Sequence, residues 1–93
     1  MIFAYVTLKI SHPESLAAYR ERSTAALAAH GGAVVAARKN PSILEGTDTA
    51  PDMAVILSFP DRSAAQAWFD DPALASVHAL RRGVGESTIV LLA

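Results

Sequence analysis

Residues 29–35 read "AHGGAVV", Ala29-His30-Gly31-Gly32-Ala33-Val34-Val35. These seven residues decide the fold, because a helical pattern ends in them and a strand-like run of β-branched residues begins. To their left, Leu16, Tyr19, Ser23, Leu27 and His30 fall on one stripe at i, i+3/i+4 spacing. That helix starts around Ser11-His12-Pro13-Glu14: Ser11 or His12 suits the N-cap, Pro13 the first turn, and Glu14 the positive helix end. Gly31-Gly32 stops it, one glycine suiting the left-handed position that follows a helix. His30 is therefore first the end of a helix, where a cation is favoured by about 0.3–1 kcal/mol. It is also a candidate acid or base, since histidine titrates near neutrality.

Further out, Ile2–Ile10 alternates two largely apolar sets and reads as a strand, as does Ala33–Lys39. The stretch "NPSILEGTDTAPD" is rich in turn residues, with Ile43-Leu44-Glu45 expected as a short extended piece inside it. Met53–Phe59 is a third strand. Ser63–Asp71 is helical, Pro72 restarts the helix in a new direction through Arg82, and Gly83 ends it. Thr88–Leu92 is the last strand.

The order is βαββαβ, which predicts an α+β domain of the ferredoxin-like kind with a four-stranded antiparallel sheet. Helices cover one face of such a sheet. The other face is too apolar to meet water, so two copies are expected to pair sheet against sheet as a dimeric α/β barrel.

The chain has 93 residues, which suits one domain spanning 1–93. A core this small is marginal by itself, and association is the common remedy. With 52% apolar and 18% charged residues the composition is that of a compact globular domain. There is no cysteine, which removes disulfides, thiolate metal sites and cysteine nucleophiles. The net charge is −1 and the basic residues are dispersed except at Arg38-Lys39 and Arg81-Arg82, so no nucleic-acid partner is expected. The apolar N-terminus lacks a basic start and is too short for a membrane span, so a cytoplasmic protein with no membrane partner is expected.

No metal and no cofactor is expected either. His12 and His30 lie 18 positions apart at opposite ends of a helix, roughly 27 Å at 1.5 Å per residue. His78 stands alone on the second helix, and no His-x-x-x-His or Glu-x-x-His spacing occurs.

The two adjacent arginines separate on a helical wheel. At about 100° per residue from Pro72, Arg81 falls between Leu74 and Val77 on the apolar side, and Arg82 falls outside that stripe. A guanidinium turned inward wants an anion, here Glu45, Asp71 or a ligand. Trp68 supplies core area or a ligand platform, and Tyr19 can bring its hydroxyl to a pocket between helices and sheet. Arg38 ends a strand beside the turn-rich loop. Tyr5, Thr7 and Ser58 are polar groups on strands that otherwise read as buried, and each must find a partner or line a cavity.

The segments "HPESLAAYRERSTAALAAHGGAVVAAR", "LEG", "VILSFPDRSAAQAWFDDP" and "ALRRGVGESTIVLL" together resemble the family catalogued as domain of unknown function 1330. The likeness runs over nearly the whole chain, departing at Arg38-Lys39-Asn40-Pro41, where members often carry Arg-Gly-Gly. It implies a branch of the dimeric α/β-barrel superfamily. That superfamily includes cofactor-free monooxygenases, haem-degrading enzymes, lactone isomerases and proteins with no known reaction, so fold does not select a reaction.

The reading that emerges is a homodimer binding a small anionic or carbonyl-bearing molecule. If it is an enzyme, cofactor-independent oxidation or isomerisation suits it, with His30 or Tyr19 as acid/base and Arg38, Arg81, Trp68 and Glu45 at the ligand. A non-catalytic dimer module without a ligand is the alternative. A cavity of about 300 Å³ or more lined by Tyr19, Arg38, Trp68 and Arg81 separates the two.

Overall fold

The computed structural model describes residues 1–93. The elements are β1 (Ile2–Ile10), α1 (Pro13–Ala28), β2 (Ala33–Lys39), β3 (Met53–Phe59), α2 (Arg62–Asp70), a 3₁₀ turn (Pro72–Leu74), α3 (Ala75–Gly83) and β4 (Gly85–Leu92). The strands form one sheet in the order β2-β3-β1-β4, every neighbouring pair antiparallel. This is the ferredoxin-like α+β arrangement that the element order predicts.

Residues 27–32 make the corner as the opening heptapeptide implies. The Gly32 amide donates to the Leu27 carbonyl (2.8 Å) and the Gly31 amide to the Ala28 carbonyl (3.1 Å), the paired bonds of a Schellman motif. Gly31 sits at φ +71°, the left-handed conformation that this motif requires. The chain then enters β2, which bulges at Val35 so that Val34 and Ala36 pair with the consecutive residues Leu57 and Ile56.

The second helical region is broken more sharply than the sequence suggests. The Asp61 side chain caps α2 by accepting from the Ala64 amide, and Asp71 caps the 3₁₀ turn by accepting from the Ala73 amide. Pro72 opens that turn, and α3 follows it. Two other expectations need correction. Ile43-Leu44-Glu45 joins no strand; these residues are exposed in the irregular connection between β2 and β3. And β4 starts at Gly85, three residues early, because Gly85 pairs with Ile10 at φ +154°. A Cβ at Gly85 would overlap the Lys9 carbonyl oxygen, which is why glycine begins the strand there.

Period-two alternation gives the sheet two faces. Ala4, Val6 and Leu8 of β1, with Met53, Leu57 and Phe59 of β3, are buried beneath the helices. Leu16 and Leu27 of α1, Ala65 and Trp68 of α2, and Val84 complete this core. The register places Phe3, Tyr5, Thr7, Ile56, Val90 and Leu92 on the opposite face, where Phe3, Tyr5, Ile56 and Leu92 are exposed. Tyr5 and Thr7, expected to find a partner or line a cavity, line neither cavity of the helix side. They belong to the open face.

Candidate functional site

The helical period turns Arg81 inward, as the wheel predicts, and the structure buries it to 2% exposure. Neither expected carboxylate meets it. Glu45 is exposed in the β2–β3 connection, and Asp71 pairs with His30 instead. Arg81 forms no ion pair at all.

Its surroundings are rings and one imidazole. The guanidinium carbon lies 5.9 Å from the centre of the Tyr19 ring and 5.5 Å from that of Trp68, within cation–π reach of both. Nη1 donates to Nδ1 of His78 at 2.6 Å, and His78 Nε2 donates to the Trp68 carbonyl at 3.0 Å. These two bonds settle the tautomer. An arginine N–H can only donate and a carbonyl can only accept, so Nδ1 carries the lone pair and Nε2 the proton.

His78 is thus neutral, and burial holds its pKa below the ordinary histidine value. The Trp68 carbonyl works against that shift, while the Arg81 charge reinforces it. The positive charge on Arg81 remains without a counter-charge. Two buried donors are also left over, Arg81 Nε and Trp68 Nε1, neither with any acceptor. An unsatisfied buried donor costs about 1–3 kcal/mol.

Two cavities adjoin these side chains on the helix side of the sheet. The first, of about 120 Å³, lies over β1 and β3 beneath α1, and its polar wall consists of Tyr19, Arg20, Ser23 and Arg81. Its other walls are aliphatic, Leu16, Leu27 and Met53 among them. The second, of about 210 Å³, is bounded by Ala4, Phe59, Ala65, Trp68 and Ile89, with Gln66 and Phe69 at its side.

Of the six site residues expected from sequence, the structure brings Tyr19, Trp68 and Arg81 together. Arg38 stays exposed at the end of β2, its Nη1 bonded to the Ala37 carbonyl, and lines neither cavity. Glu45 likewise lines neither. His30 binds Asp71 through Nε2 at 2.9 Å in a half-buried pair that ties the end of α1 to the break between α2 and α3. That hydrogen bond, with the Ala73 amide, holds the Asp71 carboxyl below its usual pKa. His30 lines neither cavity.

Sequence reasoning missed His78 as the partner of Arg81, although the signal was present: the two are three residues apart on one helix, the spacing of facing side chains. No cluster of three or more His, Asp or Glu side chains is set to hold a metal ion, and no helix is long and apolar enough to cross a membrane.

A family model described as domain of unknown function (DUF1330) matches residues 2–93. The chain belongs to this family. The same fold recurs in solved structures. A Rhodopseudomonas palustris protein of unknown function is 23% identical, with a TM-score of 0.77 over 98% of this chain and 79% of that one. A dimeric ferredoxin-like protein of unknown function from Jannaschia sp. CCS1 is 16% identical, TM-score 0.65, covering 99% and 97%. SnoaB, a cofactor-independent oxygenase from Streptomyces nogalater, is 17% identical, TM-score 0.62, covering 99% and 88%. At these identities the likeness concerns the fold. No curated protein matches this DUF1330 chain significantly.

Proposed function

We propose that this DUF1330 protein binds a small organic monoanion in the cavity beneath α1, its charged oxygen on Arg81 and its apolar body against the aliphatic wall. The observation that carries this reading is Arg81 itself: a buried guanidinium at a cavity, with no carboxylate partner and its buried Nε without an acceptor. The volume sets the scale. An apolar cavity of about 150 Å³ accommodates benzene, so about 120 Å³ takes a ligand body of roughly that size. Neither cavity reaches the roughly 300 Å³ expected of a ligand pocket, and neither is lined by Tyr19, Arg38, Trp68 and Arg81 together, so the reading rests on Arg81 and is confined to small acids.

The binding site suits turnover as well. A substrate ionised to an enolate or phenolate places its developing charge on Arg81, which is electrostatic stabilisation of the kind that cofactor-independent oxidation or isomerisation needs. SnoaB, described as a cofactor-independent oxygenase, supports this extension by fold-level analogy. A second reading is favoured by the same rings. Stacked between Tyr19 and Trp68 and bonded to His78, Arg81 also serves as a structural cation in a domain without a ligand.

Titration with benzoate, followed by calorimetry and thermal shift, separates the two. On the ligand reading benzoate raises the melting temperature, and Arg81→Met, which keeps an unbranched apolar stem and removes the charge, lowers affinity by at least about tenfold, the loss expected when a charged hydrogen bond is removed. No stabilisation by benzoate, or equal stabilisation of Arg81→Met, overturns it.

The functional unit in this reading is a homodimer joined through the open face of the sheet. Support comes from the exposed side chains of Phe3, Tyr5, Ile56 and Leu92 on that face and from the Jannaschia relative, which is described as dimeric.

A further inference from the structure

The two cavities are neighbours along the same pair of strands. Val6 and Leu57 border the first, and Ala4 and Phe59, each two residues further on and on the same face, border the second. Between them stand Arg81, which lines the first, and Trp68, which lines the second, with the guanidinium 5.5 Å from the indole. Both cavities lie between helices and sheet, and these two side chains, one from the lining of each, meet where the cavities adjoin. Both dividing side chains carry a buried N–H that no protein acceptor satisfies, Arg81 Nε and Trp68 Nε1. A divider whose own donors are both unsatisfied is poorly suited to be a permanent wall.

We infer that the two cavities act as one slot, which takes a ligand longer than the first cavity holds, a bicyclic or aryl-extended aromatic acid that parts Arg81 from Trp68 and occupies both compartments. This rests on the anion-binding reading of the first cavity and extends it to a class of ligand. The carboxylate stays with Arg81, and the aromatic body passes into the second compartment against Ala65, Phe59 and Trp68. That compartment is the larger of the two and apolar except at Gln66, so extra rings gain affinity there by burial.

The chain has a single tryptophan, so its indole N–H resonance reports on the divider without ambiguity. Benzoate and 2-naphthoate are titrated into the full-length protein while calorimetry gives affinity and the indole resonance is followed. The expected result is that 2-naphthoate binds at least tenfold more tightly than benzoate and displaces the indole resonance well beyond the effect of benzoate. Ala65→Leu, which fills the second compartment, removes the advantage of 2-naphthoate and leaves benzoate affinity unchanged. Should Ala65→Leu fail to fold, Ala65→Val fills part of the same compartment, keeps the indole reporter, and weakens 2-naphthoate several-fold more than benzoate. Equal affinities for the two acids, with the indole resonance unmoved, overturn the two-compartment ligand while benzoate binding keeps the first reading intact. Failure of both acids to bind overturns the two readings together.

Discussion

His78 is fixed as a neutral donor–acceptor relay by Arg81 on one nitrogen and the Trp68 carbonyl on the other. Protonation at Nδ1 would break the bond to Arg81 and place a second positive charge beside it, in a site where burial already opposes charge. The consequence for stability has a definite sign. The folded-state pKa is lowered, so in the window below the unfolded value of about 6.5 the unfolded chain binds the proton and the folded chain does not. The contribution of His78 is complete above about pH 6.5 and is lost as pH falls from there through the folded pKa. Urea midpoints measured between pH 8 and 5 should therefore decline on the acid side. The non-titrating His78→Gln should show a shallower decline, and because His12 and His30 remain, the difference between the two curves isolates His78. Parallel curves would mean that His78 titrates normally. Asp71 acts in a separate, more acidic window: its lowered pKa makes a contribution that is present above about pH 3.9 and lost as pH falls through the folded value.

The elements obey local rules wherever the deciding interaction is short in sequence. The Schellman bonds at Gly31-Gly32 span five residues or fewer, and the glycine pair announces them. Gly31→Ala places a Cβ in the left-handed region and 2.9 Å from Cγ of Pro60. It should cost about 1–2 kcal/mol or more, seen as a lower urea midpoint, with benzoate affinity within about twofold because Gly31 itself lines neither cavity, although Leu27 at the start of the corner borders the first. A loss of binding in a folded Gly31→Ala protein would show that the corner and the slot are coupled. The inward turn of Arg81 was legible for the same reason, since a wheel needs only the helix. What Arg81 meets was not. Its rings come from other elements, α1 and α2, and periodicity carries no information about which side chain of another element arrives opposite. The same limit hid the His30–Asp71 pair, whose members are 41 positions apart. The early start of β4 was hidden differently: glycines read as a helix stop, yet Gly85 is needed inside a strand because the Lys9 carbonyl leaves no room for a side chain.

As a whole the molecule is a slab, 34 × 29 × 17 Å, with helices on one broad side and bare sheet on the other. The asymmetry places the two properties proposed for this DUF1330 chain on opposite faces: the ligand slot between helices and sheet, association across the open strands. A chain of 93 residues buries limited area within itself, and an apolar sheet face is the surface on which more can be buried. Ile56 pairs with Tyr5 near the middle of that face, in the β1–β3 register, and is exposed in the single chain. Light scattering at micromolar concentration should give twice the 9.8 kDa chain mass for the wild type. Ile56→Lys should shift the mass to 9.8 kDa, because closing the interface over a lysine buries a charge with no partner on an apolar surface. Its benzoate affinity should stay within about twofold of wild type, since Ile56 points away from both cavities. A monomeric wild type overturns the sheet-to-sheet dimer outright. A dimeric Ile56→Lys moves the contact to another surface. A monomeric Ile56→Lys that has lost benzoate binding would tie the slot to the interface, since the sheet is then the one layer through which pairing on one face can set the positions of Val6, Leu57 and the divider on the other.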